Sequence, residues 1–249
     1  ELGPGRRVIE ALQLSDALVL EEGASRLVQA VVLPERGGGA AFQVLSRPAA
    51  EPGGAWRRHA TAAVRPAAAT SPLPQEDIAA LRARCPEELS GDEFRRKVGE
   101  AGIHVSEMES LDRLWIGERE VLARFSPRPA DDARDAYECD PAAVDAAMLA
   151  VAALIERLTT GPADQGYFLV GADRVEVFAP PAGAMWSHAV AASSRPDANG
   201  LVVDLRLLDD AGRPIAVHTN LRFHRADPAA FAAVRAEGRP AADWIYDLA

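Results

Sequence analysis

Lysine is almost missing from this chain: Lys97 is the only one among 27 basic residues. Arginine supplies the rest and alanine is abundant. A GC-rich coding sequence accounts for both biases, so the arginine content carries no functional weight. Cysteine is scarce as well. Cys85 and Cys139 are too few for a disulfide framework or for a Cys/His zinc site, and the chain reads as reduced and cytoplasmic. No apolar run approaches the ~20 residues of a membrane span, and no charged-then-apolar stretch opens the chain as a signal peptide would. Clustered basic residues are absent too. With a formal net charge of −10, the chain lacks the Lys/Arg blocks that phosphate backbones require, which excludes a nucleic-acid binder. No serine sits in a nucleophile elbow. The glycine run Gly37–Gly39 lacks the strand–turn–helix context and the following lysine of a phosphate loop, and reads as a hairpin turn. What remains is an ordinary globular composition, 48% hydrophobic and 26% charged over 249 residues. That length allows one large domain or two small ones.

Along the chain, short β-rich runs alternate with Gly/Pro clusters, the pattern of antiparallel meanders. Strands are predicted at Val8–Leu14, Ala24–Leu33, Ala40–Ser46 and Trp56–Val64. This first stretch, residues 1–65, lacks a helix to cover its apolar face. Pro66–Pro74 is Pro, Ala, Ser and Thr without periodicity, a linker, and the whole of 66–110 reads as linker with short helices. One helix is expected from Gln75 to about Arg84, and a second opens at Ser90-Gly-Asp-Glu, an N-cap followed by an acidic turn. Residues 111–226 form a second β-rich unit. Leu111–Phe125 holds one long strand or a bent pair, and strands follow at Tyr167–Phe178, Trp186–Ser193, Leu201–Leu208 and Pro214–Arg225. Asp209–Arg213 is a hairpin turn. Between them, Asp140-Pro141 places an N-cap before a proline at the first helical position, and a helix runs from Pro141 to about Leu158. It is apolar nearly all round and therefore buried. One buried helix wrapped by an antiparallel sheet is a hot dog. Two sheet units joined by a linker suggest an α+β double hot dog of two antiparallel sheets, the first without an evident helix. Residues 227–249 are a tail.

The residues then resemble a known family. Val8-Ile-Glu-Ala-Leu-Gln-Leu14 with Leu18-Val-Leu20 looks like the early strands of the dehydratase domains of modular polyketide synthases. Trp56-Arg-Arg-His-Ala-Thr61 is similar to the strand closing their first hot dog, and Arg82-Ala-Arg-Cys-Pro-Glu-Glu88 to their inter-repeat linker. Met185-Trp-Ser-His-Ala189 resembles a strand of the second repeat, and Asp243-Trp-Ile-Tyr-Asp247 the segment leading to the next synthase domain. The resemblance implies a homodimeric double hot dog that eliminates water from a 3-hydroxyacyl chain. That chain is carried on the phosphopantetheine arm of an acyl carrier protein, with no other cofactor and no metal. The family pairs a first-repeat histidine, which takes the α-proton, with an aspartate of the second repeat's helix, which assists departure of the hydroxyl. Weak α-acidity and a poor leaving group require a base and an acid facing one carbon pair.

The aspartate transfers. The family's His-Pro-x-Leu-Leu-Asp reads here Asp140-Pro-Ala-Ala-Val-Asp145, which makes Asp145 the candidate acid. Independently of any family, an aspartate in an apolar helix is costly to bury unless paired or protonated, and a local hydrogen-bonding role is the plain alternative. Other parts depart from the pattern. Leu149 stands where the family orients its carboxyl with Gln or His. His104-Val-Ser-Glu-Met108 replaces a Tyr-Gly-Pro-x-Phe segment, and Leu169 replaces a proline. By resemblance His104, Met108, Val144, Leu149 and Leu169 border the substrate. The family's His-x-x-x-Gly-x-x-x-x-Pro motif would lie before Glu1, which reads as a degenerate or N-terminally incomplete member. His59, His188, His218 and His224 are expected as strand surface residues and His104 as a loop residue. None matches the missing base. Three readings follow: a catalytically impaired, structural dehydratase-type domain among neighbouring synthase domains; an active dehydratase or double-bond isomerase whose histidine lies upstream of Glu1; and a free-standing acyl-thioester hydrolase on the same fold.

Overall fold

The computed structural model describes residues 6–18, 23–51, 53–67, 73–100, 110–126, 140–159, 167–180, 184–193 and 200–225. Four strands come first: β1 (Arg7–Leu14), β2 (Arg26–Pro34), β3 (Ala40–Pro48) and β4 (Arg57–Pro66). Helix α1 (Ile78–Ala83), strand β5 (Glu87–Ser90) and helix α2 (Gly91–Glu100) follow, then β6 (Leu111–Ile116) and β7 (Glu120–Phe125). Helix α3 (Pro141–Leu158) precedes β8 (Tyr167–Val177), β9 (Met185–Ala191), β10 (Leu201–Asp209) and β11 (Pro214–Arg225). The expected bent pair at 111–125 is thus two strands. Within the expected linker, Glu87–Ser90 pairs with β6 as an edge strand. The tail from 227 onwards lies outside the described residues.

All strands join one antiparallel sheet in the order β2-β3-β4-β1-β8-β11-β10-β9-β7-β6-β5. This is the α+β, hot-dog type of fold, with its two sheet units fused edge to edge. The order is palindromic about the β1–β8 seam, since β2-β3-β4-β1 mirrors β9-β10-β11-β8. Beyond β9 the sheet continues through β7, β6 and β5, whereas β2 is its edge. Two devices fit the seam. A Cβ on Gly171 would lie 2.3 Å from the Leu12 carbonyl oxygen, so only glycine lets β8 approach β1 there. Arg174 reaches across to Glu10 at 2.6 Å.

Local chemistry explains the helices. Asp77 accepts hydrogen bonds from the Ala79 and Ala80 amides. Ser90 and Glu93 form a reciprocal capping box: the Ser90 amide donates to Glu93 at 2.9 Å, and the Glu93 amide to Ser90 Oγ at 3.2 Å. Asp140 caps α3 through the Ala142 amide at 3.0 Å, with Pro141 at the first helical position. Helix α3 packs on β6, β7, β9 and β10, and Ser187 of β9 donates to the Ala147 carbonyl at 2.9 Å. Alternating residues Leu201, Val203, Leu205 and Leu207 of β10 belong to the same buried core as α3. Each such side chain is worth roughly 1.5–3 kcal/mol when buried. On the opposite face Leu208 joins Trp115, Leu122 and Trp186 in a smaller cluster capped by Leu81 and Cys85. Burial pushes the Cys85 thiol up to about 11, which keeps it protonated and inert.

Among the described residues the first unit has no comparable cover. Strand β2 exposes Leu27, Val28, Val32 and Leu33 to 45–52%, on both faces. It pairs with β3 over nine residues without a bulge. Gly37 and Gly38 at positive φ close that hairpin as the glycine run predicts.

Candidate functional site

Helix α3 is not buried all round. Its buried residues, Ala143, Ala146, Ala147, Leu149, Ala150, Val151, Ala153 and Leu154, span a little over half of its circumference at 100° per residue. About a third, on the opposite side, is one stripe: Pro141, Val144, Asp145, Met148, Ile155 half-buried, Ala152 and Glu156 exposed. Asp145 therefore stands on the accessible side of the helix, one turn past the Asp140 cap, and Val144 flanks it. Leu149 lies beside the stripe but inside the core, 4% exposed. Leu169 of β8 is half-buried and packs against that core, paired in register with Phe223. His104 and Met108 lie outside the described residues. The structure thus leaves Val144 and Asp145 half-buried, while Leu149, one turn past Asp145, is packed into the core.

The histidines correct the sequence reading. Among the described histidines only His224 is an exposed strand residue; His59, His188 and His218 are 5%, 2% and 6% exposed. Alternation failed to reveal this because their strands are buried on both faces or bulged at that point. His59 stands opposite the β3–β4 register shift. Its Nε2 meets Ser46 Oγ at 2.7 Å and its Nδ1 lies 3.2 Å from the Asp16 carbonyl. Arg26 Nε also donates to Ser46 Oγ, at 2.9 Å. Ser46 is wholly buried, so this polar knot ties β2, β3 and β4 together. His218 is paired with Leu205. Burial drives its pKa down from 6.5 to about 4 against a hydrogen bond to the Leu205 backbone, so it is neutral at pH 7. Its Nδ1 has no hydrogen-bond partner.

Nothing in the residue pattern marks a second polar feature. Register places Leu207 opposite Ser187 and Arg206 opposite His188. Ser187 faces α3, so His188 and Arg206 point to the other side of the sheet. There Arg84, Glu118, Arg119, Glu120, His188 and Arg206 line a cavity of about 490 Å³. Glu120 accepts two 2.8 Å bonds from Arg84 and a third contact at 2.8 Å from His188 Nε2. The Arg84 hydrogen bond holds the Glu120 carboxyl below the usual range. Burial outweighs Glu120 in pushing His188 down. Among the described residues no His/Cys/Asp/Glu group could hold a metal ion, and no helix is long and apolar enough to cross a membrane.

A helix embraced by an antiparallel sheet, with a carboxyl on its open stripe, places the chain among hot-dog proteins. A family model described as the polyketide synthase dehydratase N-terminal domain matches residues 73–233, and the chain belongs to that family. Solved structures agree on the fold. The dehydratase domain from the CurJ module of the curacin polyketide synthase is 22% identical with a TM-score of 0.76, over 91% of this chain and 77% of that one. A trans-AT polyketide synthase dehydratase domain from Brevibacillus brevis is 17% identical (TM-score 0.74, 89% and 77% covered). An N-terminal dehydratase from the difficidin assembly line is 15% identical (0.74, 95% and 83%). No curated protein sequence matched the chain.

Proposed function

We propose that this dehydratase-type domain receives 3-hydroxyacyl chains on the phosphopantetheine arm of an acyl carrier protein. We also propose that, as it stands, it is catalytically impaired and serves as a structural, homodimeric part of a cytoplasmic synthase. The full reaction removes the α-proton to a base. The Cα–H electron pair becomes the double bond, and the β-hydroxyl leaves with a proton from an acid as water. Asp145 is the candidate acid, and its position on the open stripe of α3 is the observation that carries the reading. Two features support impairment. Leu149, the neighbour expected to orient the carboxyl, is packed into the core. His59 and His188 are buried and bonded elsewhere. A positioned acid or base is typically worth ~10²- to 10⁴-fold in rate.

The test is enoyl product formation from a 3-hydroxyacyl pantetheine thioester, followed by mass spectrometry in wild type and Asp145→Asn. The expected result is no product from either. Turnover by wild type that vanishes in the variant overturns impairment and makes Asp145 the working acid. One observation favours the second reading, an active dehydratase or double-bond isomerase completed by an upstream histidine. The mirrored sheet leaves the β2 edge open where β9 is covered by β7. The same assay on a polypeptide extended before Glu1 separates the two.

A further inference from the structure

We propose that the cavity on the sheet face opposite α3 binds a free dibasic α-amino acid, a molecule of the arginine type. Three arginines and three carboxylates line it, Arg84, Arg119, Arg206, Glu118, Glu120 and Asp204, but they are not equally available. Arg84 and His188 occupy the Glu120 carboxylate, and Arg206 is paired with Glu76, just before α1. Among the described residues the Glu118 carboxyl has no ionic or hydrogen-bonding partner, and Asp204 accepts only the Asn220 amide, at 2.8 Å. Arg119 meets only the Ala192 carbonyl, at 3.4 Å. Two carboxylates and one guanidinium are therefore left without an opposite charge, and their complement is a molecule with two cations and one anion. Placement narrows the choice. Glu118 and Arg119 are neighbours in the connection between β6 and β7, and offer a negative and a positive group side by side. An amino-acid head matches them, with its ammonium on Glu118 and its carboxylate on Arg119. Register places Glu120 beside Val190 and Val190 beside Asp204, so two strand spacings, roughly 10 Å, separate the backbones of β7 and β10. An extended basic side chain bridges what the lining side chains leave of that gap. Its methylenes lie over half-buried Val190 and its terminal cation meets Asp204. A basic residue inside a peptide does not fit, because amide bonds remove both charges of its head. The volume of about 490 Å³ falls within the roughly 300–1,000 Å³ of small-molecule sites.

The test is isothermal titration of the full chain with L-arginine, with agmatine, which lacks the carboxylate, and with L-citrulline, whose side chain is neutral. Wild type should bind L-arginine at one site, and each of the other two at least about fivefold more weakly, since each lacks one matched charge. Arg119→Gln should weaken L-arginine by at least about fivefold and change agmatine by less than about twofold, because agmatine has no carboxylate to lose. Asp204→Asn should weaken L-arginine alike and leave L-citrulline within about twofold. Thermal melts verify folding. Arg119 is exposed and carries the test alone if loss of the Asn220 contact unfolds Asp204→Asn. No saturable binding of L-arginine by wild type up to ~10 mM overturns the inference, and so does an Arg119→Gln loss that is equal for L-arginine and agmatine. Either result leaves the Asp145 reading untouched, since Asp145 lies on α3 across the sheet.

Discussion

Strands β1–β4 and β8–β11 are arranged alike, yet among the described residues only one set is finished. In the second unit β9 is covered at its edge by β7 and on its face by α3, and six of its seven residues are buried. In the first unit β2 occupies the matching place, and not one of its nine residues is buried. The same four-strand order thus produces a core in one case and an open sheet in the other. The difference lies in the strand pair and helix that accompany it, because a sheet gains stability from what packs on its faces. The long, unbulged, apolar β2 is also the kind of edge that proteins usually blunt with charge or cover.

Core truncations should show the largest contrast. Leu154→Ala, at a wholly buried position of α3, should cost ~2–5 kcal/mol. Leu33→Ala, at a site 52% exposed, should change stability by less than about 0.5 kcal/mol. Urea unfolding of both variants measures the contrast, and equal losses would mean that the first unit is as well packed as the second.

Acid should act on the finished unit. His218 titrates near 6.5 when unfolded and at about 4 when folded, so below pH 6.5 the unfolded chain binds the proton first. The stability this histidine permits is therefore complete above pH 6.5 and falls as pH drops toward 4. The gap is worth roughly 3 kcal/mol. His188, also depressed by burial, adds in the same direction. Urea unfolding from pH 7.5 to 4 should give a shallower loss for His218→Leu than for wild type, and parallel curves would contradict the assignment.

The seam between the units is the next test. Gly171→Ala forces a backbone shift against the Leu12 carbonyl and should cost ~1–3 kcal/mol, with faster amide exchange in β1 than in β10. A smaller effect belongs to the α3 cap: Asp140→Ala should cost ~1 kcal/mol and loosen the turn that carries Asp145, seen as faster exchange at residues 142–145.

The finished unit is also where the sequence was most legible. The cap Asp140-Pro141 and the apolar run after it define α3 from Pro141 to about Leu158, as observed, because both signals are local. Hairpins at Gly37–Gly39 and Asp209–Arg213 were equally plain. Strand β5 was not, since its four residues, Glu-Glu-Leu-Ser, acquire their structure only by pairing with β6. The buried histidines were missed for a related reason. His188 sits in a sheet covered on one side by α3 and on the other by its own ionic neighbours, so no polar–apolar alternation marks it. Of the site, Asp145 was legible through its resemblance to a family motif. The open stripe around it was not, because an evenly apolar helix does not disclose which third of it stays uncovered.

Hydrogen exchange resolved by strand tests the contrast between the units most directly. The account predicts that amides of residues 26–33 in β2 exchange at rates close to those of an unfolded chain. Those of residues 185–191 in β9 should instead be protected to near the global unfolding free energy. Equal protection of β2 and β9 in the isolated chain would contradict it.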